Sequence, residues 1–171
     1  VPYLLTCIGA VMMFYILNSL SRFMTASESF GGGTTGMLLE MGTWVMGFFS
    51  LIFLFYTNSF LIRRRKKEFG LYNVLGMGKG NIARILLWET VILMTAALAA
   101  GLGLGIALSK LFELGLGRII RMEHLDHVLR VDGRGVLHTV VIYGVIFFLI
   151  YLNSLRQIHF GSPVELLRGE N

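Results

Sequence analysis

Apolar residues along the chain gather into four blocks, set apart by links that are polar, basic or rich in glycine. The first block runs from about residue 3 to 20 and is uncharged until Arg22. The second spans about 37–62, with Glu40 near its start. The third spans about 82–108, with Arg84 and Glu89 near its beginning, and the fourth about 136–155, with His138 at its edge. A helix that crosses a bilayer needs roughly 20 predominantly apolar residues, and each block reaches or approaches that length. The pattern predicts an all-α, polytopic membrane protein of four transmembrane helices, with residues 1–171 forming one module.

Composition sharpens this picture. Hydrophobic residues make up 55% of the chain and charged residues 15%, against about 25% charged in a typical soluble domain. The first block could be read as a cleaved signal, but its apolar run is long for one, and Met24-Thr25-Ala26 is a poor cleavage pattern because Met is not small. It is read as a span. The chain starts at Val1 without an initiator methionine and is expected to be a piece of a longer protein. Net charge is +5, yet no basic stripe interleaved with aromatics suggests nucleic acid. The single cysteine, Cys7, can build neither a disulfide framework nor a metal site and reads as a buried hydrophobe.

Orientation follows from the basic residues. Arg63, Arg64, Arg65, Lys66, Lys67, Lys79 and Arg84 cluster around the short link between the second and third blocks, against Glu68 alone. Positive charge marks the cytoplasmic side, so this link and both chain ends are expected in the cytoplasm. The first link, with only Arg22 and Glu28, is then outside. Its stretch Phe30-Gly31-Gly32-Gly33-Thr34-Thr35-Gly36 reads as a flexible connector. From Lys110 to Val131 the chain is amphipathic and either lies flat in the outer interface or extends a helix that packs on the bundle.

Few positions suggest chemistry. Ala97, Gly101 and Gly105 recur every four residues, and such small-residue spacing lets helices approach closely within a membrane. The groove could take a helix of the same chain or of a partner. Glu40 and Glu89 lie in or beside spans, where a carboxylate is a functional candidate, but both are near helix ends and are read as structural. His124-Leu125-Asp126-His127 lacks a convergent fourth ligand and reads as a solvated loop, so no metal is expected. Gly76-Met77-Gly78-Lys79-Gly80 resembles a phosphate loop only superficially, since Asn73 and Gly80 stand where the motif needs glycine and Ser or Thr. No catalytic residues and no cofactor are expected.

The segment from about 68 to 80 is the most informative. Phe69, Leu71, Tyr72, Val74, Leu75 and Met77 are apolar or aromatic, yet they follow a cytoplasmic basic run. Four glycines argue against a long helix here, so a short helix and turn are expected. They would lie on the membrane surface or dock a cytosolic partner in a groove.

At this segment the chain resembles the FtsX-like permeases. Arg65-Lys66-Lys67-Glu68-Phe69-Gly70-Leu71 followed by Val74-Leu75-Gly76-Met77 is similar to that family's signature, and Asn58 to Tyr72 is closer still to its bacitracin-export branch. Ser162-Pro163-Val164-Glu165-Leu166-Leu167-Arg168 resembles the tail after the fourth helix. Many members carry Arg-Ala before the Leu-Gly pair, where this chain has Asn73-Val74. Lipoprotein- and macrolide-exporting relatives insert a large domain after the first helix, but the link here is short. The resemblance implies an ABC transporter permease of the bacterial cell membrane, corresponding to the first half of a ten-helix protein. Its partner would be a cytosolic ABC ATPase dimer, with the ATPase activity there and not on this chain. The link would be a coupling helix, with Phe69, Tyr72 and Leu75 as contacts, Arg65 and Glu68 fixing its start, and Gly70 and Gly76 within the motif. The implied outcome is resistance to bacitracin-like antimicrobial peptides, often with signalling through a membrane histidine kinase. The alternatives are a non-transporting regulator of cell-wall hydrolases, which would need an early outer domain, and a sensor scaffold for a kinase.

Overall fold

The computed structural model describes residues 2–26, 32–119, 131 and 133–160. Its elements are four α-helices: α1 Pro2–Ala26, α2 Gly32–Val74, α3 Lys79–Ile119 and α4 Gly133–Phe160. Each is long and apolar enough to cross a membrane. The chain is an all-α, multi-pass membrane protein. Backbone polar groups have no water to bond to in lipid, so a span must satisfy them within its own helix.

The helices overrun the apolar blocks, which changes two expectations and decides between the two alternatives left open for a third segment. First, the link between the second and third spans holds no separate short helix. Its first half is the end of α2, which continues to Val74 before a tight turn. A glycine inside a helix costs only about 1 kcal/mol relative to alanine, and Gly70 is flanked by residues that favour helix or pack against α3. Second, Gly32 to Gly36 are helical rather than a loose connector. Gly36 sits against α1 so closely that a β-carbon there would collide with Thr25, and its carbonyl accepts a hydrogen bond from Ser21 Oγ at 3.0 Å. Third, the amphipathic stretch from Lys110 continues α3 as far as Ile119. The histidine pair around Asp126 and the tail from Ser162 to Arg168 lie outside the described residues.

The chain divides into two compact units, Val1–Ser50 with Ala96–Tyr143, and Leu51–Thr95 with Gly144–Asn171. The first is built on α1. Gly101 and Gly105 of α3 bring the two backbones together: a β-carbon on Gly101 would meet Val11 Cβ at 2.7 Å and the Ile8 carbonyl at 3.1 Å, and one on Gly105 would meet Tyr15 at 3.2 Å. Ala97, one turn earlier, is fully buried. The side-chain core is aromatic, with Phe14 and Tyr143 edge to face at 5.5 Å. The Tyr143 hydroxyl donates to the Ala10 carbonyl at 2.8 Å and lies 3.1 Å from Ser50 Oγ.

Polar groups in this unit are joined across helices. Glu113 on α3 is buried and accepts from Ser19 Oγ of α1 at 2.5 Å and from Lys110 Nζ at 2.8 Å. Asn18 lies 2.8 Å from His138 Nδ1 of α4 and accepts from Arg22 Nε at 3.0 Å. His138 also sits near the rings of Phe14 and Trp44. A buried carboxylate is tolerable only when its charge is met by donors, and both Glu113 oxygens have one.

In the second unit a polar seam joins α2 and α4. Asn58 Nδ2 donates to Ser154 Oγ at 2.7 Å, while Asn153 Nδ2 and Gln157 Nε2 both donate to Ser59 Oγ at 3.1 Å. Interhelical hydrogen bonds of this kind average about 0.6 kcal/mol in a membrane protein. Lys79 at the start of α3 donates to the His159 carbonyl at 3.1 Å, tying the last turn of α4 to it.

The close approach of α1 and α3 gives a position-specific expectation. Gly101→Leu should destabilise the protein by roughly 1–3 kcal/mol or more through overpacking against Val11. Gly103→Leu should have little effect, because a β-carbon added there would meet nothing within 4 Å. Thermal unfolding in detergent compares the two.

Candidate functional site

The basic, apolar-tipped end of the second unit is the best-defined candidate. Its geometry begins with helix termination. Gly76 has φ of 91°, a left-handed conformation that an L side chain adopts only with strain. The Met77 N–H donates to the Tyr72 carbonyl at 3.0 Å and the Gly76 N–H to the Asn73 carbonyl at 3.2 Å. These are the two bonds of a Schellman C-cap, with glycine at its left-handed position. Two residues later the Gly78 carbonyl accepts from Asn81 and Ile82 and starts α3. The Gly76–Lys79 sequence is therefore a helix-to-helix turn, unlike the strand-to-helix setting of a phosphate loop.

Packing fixes this turn. Ile62 and Phe69 of α2 bury themselves with Ile82 and Leu86 of α3, and Met77 covers the group. Met77 is the residue after the cap glycine, where an apolar contact commonly accompanies the motif. Below the cluster Arg65 donates through Nη1 to Glu89 Oε1 and lies 3.5 Å from Glu68. One guanidinium thus engages a carboxylate on its own helix and another on α3. Glu89, five residues from Arg84, takes its partner from α2 instead.

The sequence-derived site residues separate into two groups. Phe69 is 6% exposed and Gly70 is buried, so they support the tip from within and offer no surface to a partner. This corrects the expectation of Phe69 as a contact. Tyr72 and Leu75 are exposed, Leu75 at 73%, and so are Leu71 and Val74. Leu71, Val74 and Leu75 stand at i, i+3 and i+4, one face of a helix. That signal is present in the sequence but requires the helix to run on through Gly70. Ala97, Gly101 and Gly105 belong to the other unit, the two glycines against α1. Glu40 is exposed on α2. Among the described residues no group of three His, Cys, Asp or Glu could hold a metal ion.

Residues 41–163 match the family described as FtsX-like permease C-terminal. The chain is 27% identical over 171 residues to the ABC transporter permease YvcS of Bacillus subtilis, covering 99% of this chain and 26% of that protein. It is 37% identical over 117 residues to the bacitracin export permease protein BceB of the same organism, covering 68% and 18%. With the BceB of Halalkalibacterium halodurans it shares 36% identity over 100 residues, covering 58% and 15%. The chain thus spans about a quarter or less of the length of these relatives.

Gly76→Ala should cost about 1–2 kcal/mol, the penalty for placing a β-carbon in the left-handed region. Gly80→Ala, in open space at ordinary φ, should be neutral or slightly stabilising. Unfolding midpoints of the two variants test the cap directly.

Proposed function

The chain belongs to the FtsX-like permease family, and from that membership we propose that it couples ATP hydrolysis on a separate cytosolic ATPase dimer to resistance against bacitracin-like peptide antibiotics. The observation that carries this reading is the exposed apolar face of Leu71, Tyr72, Val74 and Leu75 at the end of α2. The apolar span ends at Ile62, and at about 1.5 Å per residue the helix carries Leu71 to Val74 roughly 14–18 Å farther. The headgroup layer is only about 5–7 Å thick on each side. An apolar face at that height stands clear of the lipid and needs a protein groove to leave water. The basic run before it favours the cytosolic side for this end by the positive-inside rule, and four spans return residue 160 to the side on which residue 2 begins.

Mechanism then follows from stiffness. The turn is capped, its apolar cluster is buried, and Arg65 links α2 to α3. Movement of an ATPase groove gripping Leu75 would be delivered to both helices as one lever rather than absorbed in a loop. The chain's own residues transmit; the phosphate chemistry stays on the partner. BceB in the names of two relatives is called a bacitracin export permease, which supports a peptide antibiotic as the substrate class.

Leu75→Asp should leave membrane insertion and thermal stability unchanged, since the residue is exposed at the helix end. Co-purification of the ATPase should fall at least about tenfold, because an aspartate would be desolvated without a partner in an apolar groove, and protection from bacitracin should fall with it. Unchanged association and protection would sink the coupling assignment.

A further inference from the structure

The second unit also carries a belt of positive charge that the coupling reading uses only for orientation. Arg63, Arg64 and Lys67 of α2 and Arg156 of α4 are all exposed. The carboxylates of this unit's described helices are Glu68 and Glu89, and Arg65 engages both. Among the described residues the other four cations therefore have no carboxylate partner.

Their height along the bundle is set by the contacts around them. Arg64 folds back along α2 so that its guanidinium carbon lies 4.6 Å from the centroid of the Phe60 ring. Phe60 is itself exposed within the apolar span. The hydrogen bonds from Asn58 to Ser154 and from Gln157 to Ser59 put Arg156 level with that same turn of α2. Arg63 lies directly after the last apolar residue, Ile62, and Lys67 about 7.5 Å beyond Ile62 along the helix. Arg63, Arg64 and Arg156 thus fall at the hydrocarbon edge or within the headgroup layer of about 5–7 Å, and Lys67 stands at its outer boundary. Leu71 to Leu75 lie past that layer. The two surfaces are separated by depth: a basic belt among headgroups and an apolar tip beyond them.

We propose that Arg63, Arg64, Lys67 and Arg156 form a binding belt for anionic phospholipid headgroups, which holds the coupling end of α2 at a fixed depth. The recognition is charge-assisted: guanidinium N–H groups match the oxygens of a phosphodiester. Each basic residue near an anionic surface contributes attraction within a Debye length. A zwitterionic lipid has the same phosphate but cancels it with its own ammonium. This inference rests on the membrane spans and not on the ATPase assignment.

The test is native mass spectrometry of the purified protein, in complex with its ATPase where it has one, released from bilayers of equal phosphatidylglycerol and phosphatidylcholine. Phosphatidylglycerol should be retained several-fold over phosphatidylcholine. The combined variant Arg63→Gln, Arg64→Gln, Arg156→Gln should bring that ratio close to one, while the same three positions changed to Lys should keep most of it. Arg84→Gln is the control and should leave the ratio unchanged. Arg84 is exposed and, although it falls inside the third apolar block, it follows the turn by as many residues as Phe69 precedes it, which sets it about 10 Å past the level of Ile62 and clear of the belt. Equal retention of both lipids by the unaltered protein would overturn the proposal. So would a glutamine variant that keeps its lipid preference and instead loses the ATPase, which would assign the belt to the partner protein.

Discussion

A bilayer offers backbone amides no water, and this constraint governs how the chain is built. Each span has to close its own hydrogen bonds, so it must be helix from one face of the membrane to the other. Nothing in that rule requires the helix to stop at the surface. α2 and α3 each continue past their apolar blocks, and it is the continuation of α2 that carries exposed apolar side chains past the basic run. A tip at the end of an unbroken helix inherits the stiffness that lipid imposed on the span.

Lipid also removes the hydrophobic drive between helices, leaving close packing and polar contacts to hold them together. The two units use these in different proportions. In the first, glycine at 101 and 105 lets α3 lie almost backbone to backbone on α1, and the Tyr143 hydroxyl reaches a helix-interior carbonyl. In the second, Asn58, Ser59, Asn153, Ser154 and Gln157 form a hydrogen-bonded seam, and an apolar cluster closes the end that carries the basic run. The first arrangement depends on the absence of side chains and the second on their chemistry.

The spans are legible in the sequence because hydropathy measures what the bilayer selects. Helix ends are not, because charges such as Arg63 mark where a helix leaves lipid, and termination is decided by the cap. Gly70, Gly76, Gly78 and Gly80 look equivalent in sequence, yet only Gly76 combines a positive φ with the C-cap bonds. Counting all four as helix breakers divides the segment wrongly and hides the shared face of Leu71, Val74 and Leu75. It also assigns Phe69 to the surface, although its spacing of seven from Ile62 puts both on one helical face. Arg65 and Glu89 are 24 residues apart, and their pairing becomes visible only once the turn folds α3 back on α2.

The carboxylate of Glu113 has a consequence for how such a chain can change over generations. Its oxygens are met by Ser19 of α1 and by Lys110 one turn earlier on α3. Removing one member of a buried ion pair leaves an uncompensated charge, at a cost of about 3–5 kcal/mol, whereas replacing the pair together with apolar residues can be neutral. Positions 110 and 113 are thereby bound to a common fate. A lineage can keep both charges or shed both, but the single-step intermediates give up a large share of the roughly 5–15 kcal/mol that holds a typical native protein together.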